Sequence, residues 1–205
     1  MNPSPAPPAE DASQLRQLDA ASAADQIAAM EAHAAAEALV HLTHGQAAEV
    51  LEQLAEPQRA AIRATGVAGL PDARALDFRE GSVGRLLESA PAVFSADLRV
   101  DAAIEQLRDI VRQRMVIYVF VVDAEQRLEG VVAFRELVFA RPDQSLGEIM
   151  LRQPFALRPD MPLEEAMREV VTRHYPVYPV CDAQGRLVGL VPGAVLFEQQ
   201  AFEIS

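Results

Sequence analysis

Lysine is absent from this sequence: all 18 basic residues are arginine, set against 30 aspartates and glutamates, for a formal charge of −12. An acid surplus of that size repels nucleic acid and anionic membrane surfaces and favours cations or basic partners, so no nucleic-acid role is expected. The missing lysine itself fits a bias of genome composition and carries no mechanism. The single cysteine, Cys181, excludes an internal disulfide and suits a reducing compartment. Long apolar runs are also missing. The longest uncharged one, Met115 to Val122, falls far short of the ~20 residues that a membrane helix needs, so the chain as written reads as soluble. The opening MNPSPAPPAE has neither the basic nor the apolar segment of a signal peptide, and residues 1–11 read as a disordered tail. No Gly-x-Ser-x-Gly, P-loop or His-Glu-x-x-His motif occurs, and Cys181 lies in an apolar strand with no histidine near it in sequence. Buried packing is its expected role, and no enzyme is expected.

Half of the 205 residues are hydrophobic, enough for a sizeable core. They are organised by two repeats. The shorter one recurs every twelve residues: Ala12-Leu15-Leu18, Ala24-Ile27-Met30, Ala36-Leu39-Leu42 and Ala48-Leu51-Leu54, each a small residue followed by apolar ones three apart. That spacing marks one face of a short helix. Twelve residues at ~100° each overshoot whole turns by ~120°, so an unbroken helix would scatter the four ridges round its axis. Breaks are therefore expected, with Ser22, Thr43-His44-Gly45 and Glu56-Pro57 as cap or turn residues. The outcome is a stack of short helices, each hiding its ridge against a neighbour.

The longer repeat follows a Gly- and Pro-containing stretch from Gly66 to Arg79. SVGRLLESAPAVFSAD (82–97) returns as SLGEIMLRQPFALRPD (145–160) at an offset of sixty-three, and YVFVVDAEQRLEGVV returns as YPVCDAQGRLVGLV at fifty-nine. The first copy thus holds four extra residues in or after its helix. Each copy reads as a helical turn, a strand near Val93 or Ala156, a helix from Val100 or Leu163, two strands with Asp123 or Asp182 opening the turn between them, and a closing helix.

In that order the two copies resemble a tandem pair of CBS domains, over about residues 82–200. The resemblance implies a pseudo-twofold core, two facing three-stranded sheets, two clefts between the copies and a regulatory role. In many CBS pairs a Thr or Ser after the Gly-apolar-apolar signature, and an Asp soon after it, hold an adenine nucleotide. Here those positions are Ala133 and Glu136 in the first copy and Pro192 and Ala194 in the second. Both hydroxyls are missing, so ATP and AMP are expected to bind weakly or not at all, because each unsatisfied polar group costs ~1–3 kcal/mol. Arg127, Arg173 and Arg186 are the candidates to meet a phosphate, with solvated surface the alternative for each.

A stack of short Ala/Leu helices followed by a CBS pair and the acidic apolar ending VLFEQQAFEIS is similar to the cytosolic portion of MgtE-type magnesium transporters. The expected fold class is α+β: an N-terminal all-α superhelical stack over 12–65, a linker over 66–80, a first CBS domain over 81–143, and a second over 144–205 with the start of a connecting helix. The final helix, bearing Phe197, Phe202 and Ile204 without a stop signal, is expected to continue in a longer protein.

The resemblance implies a Mg2+-sensing gate, with other divalent cations open, placed at the cytosolic face of the inner membrane and partnered by the transporter's own transmembrane domain. The alternative is a free-standing CBS regulator, cytoplasmic, that binds a nucleotide or a protein. Mg2+ takes oxygen ligands in an octahedron and keeps several waters, so sparse carboxylates suffice. Residues 1–80 carry 12 acids and 5 arginines, and 81–205 carry 18 and 13, so both halves are acidic and are expected to repel unless divalent ions lie between them. By position in the family, Glu164, Glu198 and Glu203 fall on acidic positions associated with Mg2+, whereas His174 and Val195 replace carboxylates. Glu37, Glu49 and Glu52 are metal candidates by facing and charge, with a solvated helix face as the alternative for every one of these acids. Glu37, His41 and His44 have a spacing able to gather a transition metal, though Gly45 is expected to break their face. A homodimer through the CBS pairs is expected, on an outer apolar face that includes Leu86, Leu87, Ile149, Met150 and Leu196.

Overall fold

The computed structural model describes residues 14–67, 69–71 and 77–197. The expected tail therefore lies outside the described residues, as do Glu198 and Glu203. The chain divides into two compact units, residues 1–89 and 90–205.

The first unit is helical. Helices α1 (Ala20–Ala28), α2 (Ala32–Val40), α3 (His44–Gln53) and α4 (Glu56–Ala64) start every twelve residues, in step with the ridge repeat. Ala24, Ile27, Ala36, Leu39, Leu42, Leu51 and Leu54 are buried together in one core, with Leu18 and Met30 packed against it. The third residue of each ridge falls just past its helix or in the turn, which is how a twelve-residue period keeps one face inward. Thr43 caps α3 through a full capping box with Gln46, and Pro57 stands in the first turn of α4, where its missing N–H costs nothing. Ser22 does not cap: Asp19 does, accepting hydrogen bonds from the Ser22 N–H and hydroxyl at 2.9 and 2.8 Å. An aspartate three residues earlier offers two acceptor oxygens, so Ser22 becomes a donor inside the first turn. The unit closes with a 3-10 turn, Val83–Leu86.

The second unit holds the long repeat. In its first copy β1 (Val93–Ser95) pairs in parallel with β2 (Tyr118–Val122), and β2 pairs antiparallel with β3 (Leu128–Ala133), with α5 (Val100–Gln113) crossing between β1 and β2. Helix α6 (Phe134–Phe139) follows β3. The second copy opens with α7 (Leu146–Ile149) and carries α8 (Leu163–Val170), β5 (Val177–Cys181) and β6 (Leu187–Pro192). After β6 the chain turns helical at residue 193. The four extra residues of the first copy lie between the start of its helix and the next strand, where α5 runs for 14 residues against 8 in α8 and the second copy makes up part of the difference in turns after α8.

The sheets differ from two equal triplets. The short β4 (Leu151–Arg152) joins the outer edge of β3, so the first sheet has four strands in the order β1-β2-β3-β4, while the second has two. The segment expected as a strand near Ala156 is reduced to a single parallel bridge, Leu157 to Val180. The hairpins themselves match closely. Val121 faces Gly130 and Val122 faces Leu128, just as Val180 faces Gly189 and Cys181 faces Leu187, with the same bulge in each. Their tips meet: Leu128 N donates to Gly185 O at 3.0 Å and Leu187 N to Gln126 O at 2.9 Å, which places the two copies about a local twofold.

Candidate functional site

The hairpin tips show how the two copies are built from the same chemistry. Asp123 Oδ1 accepts from the N–H groups of Glu125 and Arg127 at 2.9 and 2.8 Å, and Asp182 Oδ1 from those of Gln184 and Arg186 at 2.9 Å each. An aspartate that hydrogen-bonds its own turn needs a left-handed residue three places on, here Gln126 at φ 65° and Gly185 at φ 79°. Arg186 Nε lies 2.7 Å from Asp182 Oδ2, and Arg127 is 3.9 Å from Asp123, so both arginines serve their own turns.

At the other end of the second hairpin an aromatic patch forms within the second copy. The Tyr175 and Tyr178 rings lie 5.8 Å apart, Phe155 meets Tyr178 edge-on at 6.2 Å, and the Arg173 guanidinium stacks 3.9 Å over Phe155. The same Arg173 lies 3.4 Å from Glu169. Its charge is thus taken up by a ring and a carboxylate rather than held ready for a phosphate. Burial, and then Tyr175, push the Tyr118 phenol above its ordinary range. Ala133 sits half-buried at the start of α6 without a side-chain cap, and the exposed Glu136 pairs with its neighbour Arg135 at 3.3 Å. Pro192 ends β6, and Ala194 lies exposed just beyond. No hydroxyl stands at the four positions where the resemblance places nucleotide contacts.

The candidate metal ligands fall in separate surroundings. Glu164 is exposed in the first turn of α8, where a carboxylate also complements the helix N-terminus. Glu37 on α2 faces His33 Nε2 at 3.5 Å. Glu49 on α3 is paired with Arg85 through Oε1, so an ion at Glu49 shares that carboxylate with a guanidinium. Glu52, exposed, stands one turn further along the same helix face. Among the described residues no three His, Cys, Asp or Glu converge closely enough to hold a metal ion. His174 sits in a left-handed turn after α8, at φ 54°, and Val195 is half-buried. The Glu37, His41, His44 spacing is broken, but not by Gly45, which lies within the next helix: α2 ends at Val40, Thr43 caps α3, and His44 opens it with its ring on Ser89. Cys181 is buried, and burial, then the neighbouring Asp182, push its thiol up to about 11, which keeps it protonated and unreactive near neutrality.

Two features escaped the sequence. An open crevice of about 660 Å³ lies at the C-terminal ends of β1 and β2, where Ser95, Asp97, Asp123, Gln126 and Glu129 line it. The Ser95 hydroxyl holds the Asp97 carboxyl below the ordinary aspartate range. These acids are scattered over thirty-odd positions and no spacing rule links them; only the β1-β2 pairing does. The second is an apolar groove of about 130 Å³ between α5 and α6, lined by Ile104, Leu107, Val111, Phe134, Leu137 and Val138 around Arg108. Val138 is 68% exposed, whereas Leu86, Leu87, Met150 and Leu196 are buried and Ile149 half-buried. The expected outer face was therefore misplaced. Apolar periodicity identifies a buried face but not which body buries it, and those residues are consumed within this chain.

The CBS domain family matches residues 146–192. The magnesium transporter MgtE of Thermus thermophilus is 32% identical over 115 residues, which is 56% of this chain and 26% of that protein. The crystallised cytosolic domain of the Mg2+ channel MgtE, in complex with ATP, superposes with a TM-score of 0.59 at 27% identity, covering 93% of this chain and 84% of that one. The chain resembles the cytosolic region of MgtE-type magnesium transporters. The soluble part of a magnesium transporter shares the fold across 98% of this chain and 75% of that one, with a TM-score of 0.65 at 21% identity. The chain spans about a quarter of the length of the curated relatives it matches. Among the described residues no helix is long and apolar enough to cross a membrane.

Proposed function

We propose that this chain is the cytosolic Mg2+-sensing regulatory region of an MgtE-like divalent-cation transporter, that it performs no catalysis, and that its output is the gating of the transporter's own transmembrane part. One observation carries the reading: a helical stack and a CBS pair occur in one chain, and that combination is matched over 93% of its length by the cytosolic domain of an MgtE channel. The charge of −12 supports it, since divalent ions are the economical way to neutralise two acidic units. Glu164, with Glu198 and Glu203, and the acids Glu37, Glu49 and Glu52 of the stack are the ligands proposed, several waters completing each octahedron. The groove between α5 and α6 is the surface proposed for a homodimer through the CBS pairs.

The test compares millimolar MgCl2 with NaCl of equal ionic strength. Mg2+ is expected to slow proteolysis between Gly66 and Arg79 and to raise stability by RT ln(1 + [Mg]/Kd), ~1.4 kcal/mol at tenfold above Kd, while NaCl supplies only screening. Replacing Glu164, Glu198 and Glu203 together by Gln removes most of that protection and leaves the fold intact. Identical cleavage in both salts overturns the reading. A nucleotide-responsive CBS module is the second reading, favoured by the aromatic patch at Phe155, Tyr175 and Tyr178; low-micromolar ATP binding by calorimetry, with no Mg2+ protection, selects it.

A further inference from the structure

We draw no further inference here: the strongest candidate, the open crevice at the C-terminal ends of β1 and β2 lined by Ser95, Asp97, Asp123, Gln126 and Glu129, is a cluster of acidic residues into which no buried, unpartnered polar side chain among the described residues aims, so nothing in it says what it would hold.

Discussion

Ser82-Val-Gly-Arg-Leu-Leu87 and Ser145-Leu-Gly-Glu-Ile-Met150 open the two copies of the long repeat with the same pattern, yet they belong to different bodies. In the second copy Glu148 reaches back to Ser145 N at 2.7 Å, completing a capping box that nucleates α7, and Leu146 N and Gly147 N dock on Leu98 O and Ala96 O at 2.9 and 2.8 Å. The Ser145 N–H, and then the Ser145 hydroxyl, hold the Glu148 carboxyl below the ordinary range. In the first copy the equivalent residue is Arg85, which cannot accept from Ser82 N. The box fails, the turn tightens to 3-10, Ser82 Oγ bonds Arg79 O instead, and the arginine goes to Glu49. A change of charge sign at the third position of the turn thus goes with a different partner for each segment.

The sharpest way to break that comparison is the shared glycine. Gly84→Ala is expected to cost about 1–3 kcal/mol, because a Cβ there would lie 2.4–2.8 Å from three Phe78 ring carbons. Gly147→Ala is expected to cost under ~1 kcal/mol, since its closest neighbour is Ala96 O at 3.1 Å and alanine is the better helix former. Equal losses in denaturant melts would mean that the two turns are packed alike after all.

A smaller effect separates Tyr178 from Val119, its counterpart in the first copy, both fully buried. The Tyr178 hydroxyl accepts from Tyr175 N at 3.0 Å and donates to Val170 O at 3.3 Å, tying the end of α8 to the sheet. Tyr178→Phe is expected to lose about 1–2 kcal/mol and to loosen the amides of 171–175 in exchange experiments, with no change around Val119. Smallest and opposite in sign is the hairpin comparison. Gln126 pays for a left-handed backbone that Gly185 adopts freely, so Gln126→Gly is expected to raise the melting free energy by about 0.5–1 kcal/mol. A loss there would show that the Gln126 side chain, not its φ, matters at the tip.

Much of the architecture was legible because it rests on local chemistry repeated at fixed spacing. The twelve-residue ridge set where α1 to α4 begin, Thr43 announced a cap, and the Asp-led phrases located two hairpins, to which the structure adds a common bulge. The residues that stand where the resemblance places nucleotide contacts could be read one by one, since a missing hydroxyl at Ala133 or Pro192 needs no coordinates. What periodicity cannot carry is the identity of the partner surface. Leu86, Leu87, Met150 and Leu196 look like an outer face in one dimension and prove to be interior, while Ile104, Val111 and Val138 are among the apolar residues left open. Which acid keeps a free carboxylate is likewise invisible along the chain: Glu49 and Glu52 are alike on paper, and only the fold brings Arg85 to one of them. Helix starts, turns and strand registers follow from interactions a few residues long, so they survive in sequence. Burial, charge pairing and the docking of Ser82–Ser89 depend on segments 25 to 45 positions apart in the chain, whose meeting is decided by packing of the whole unit.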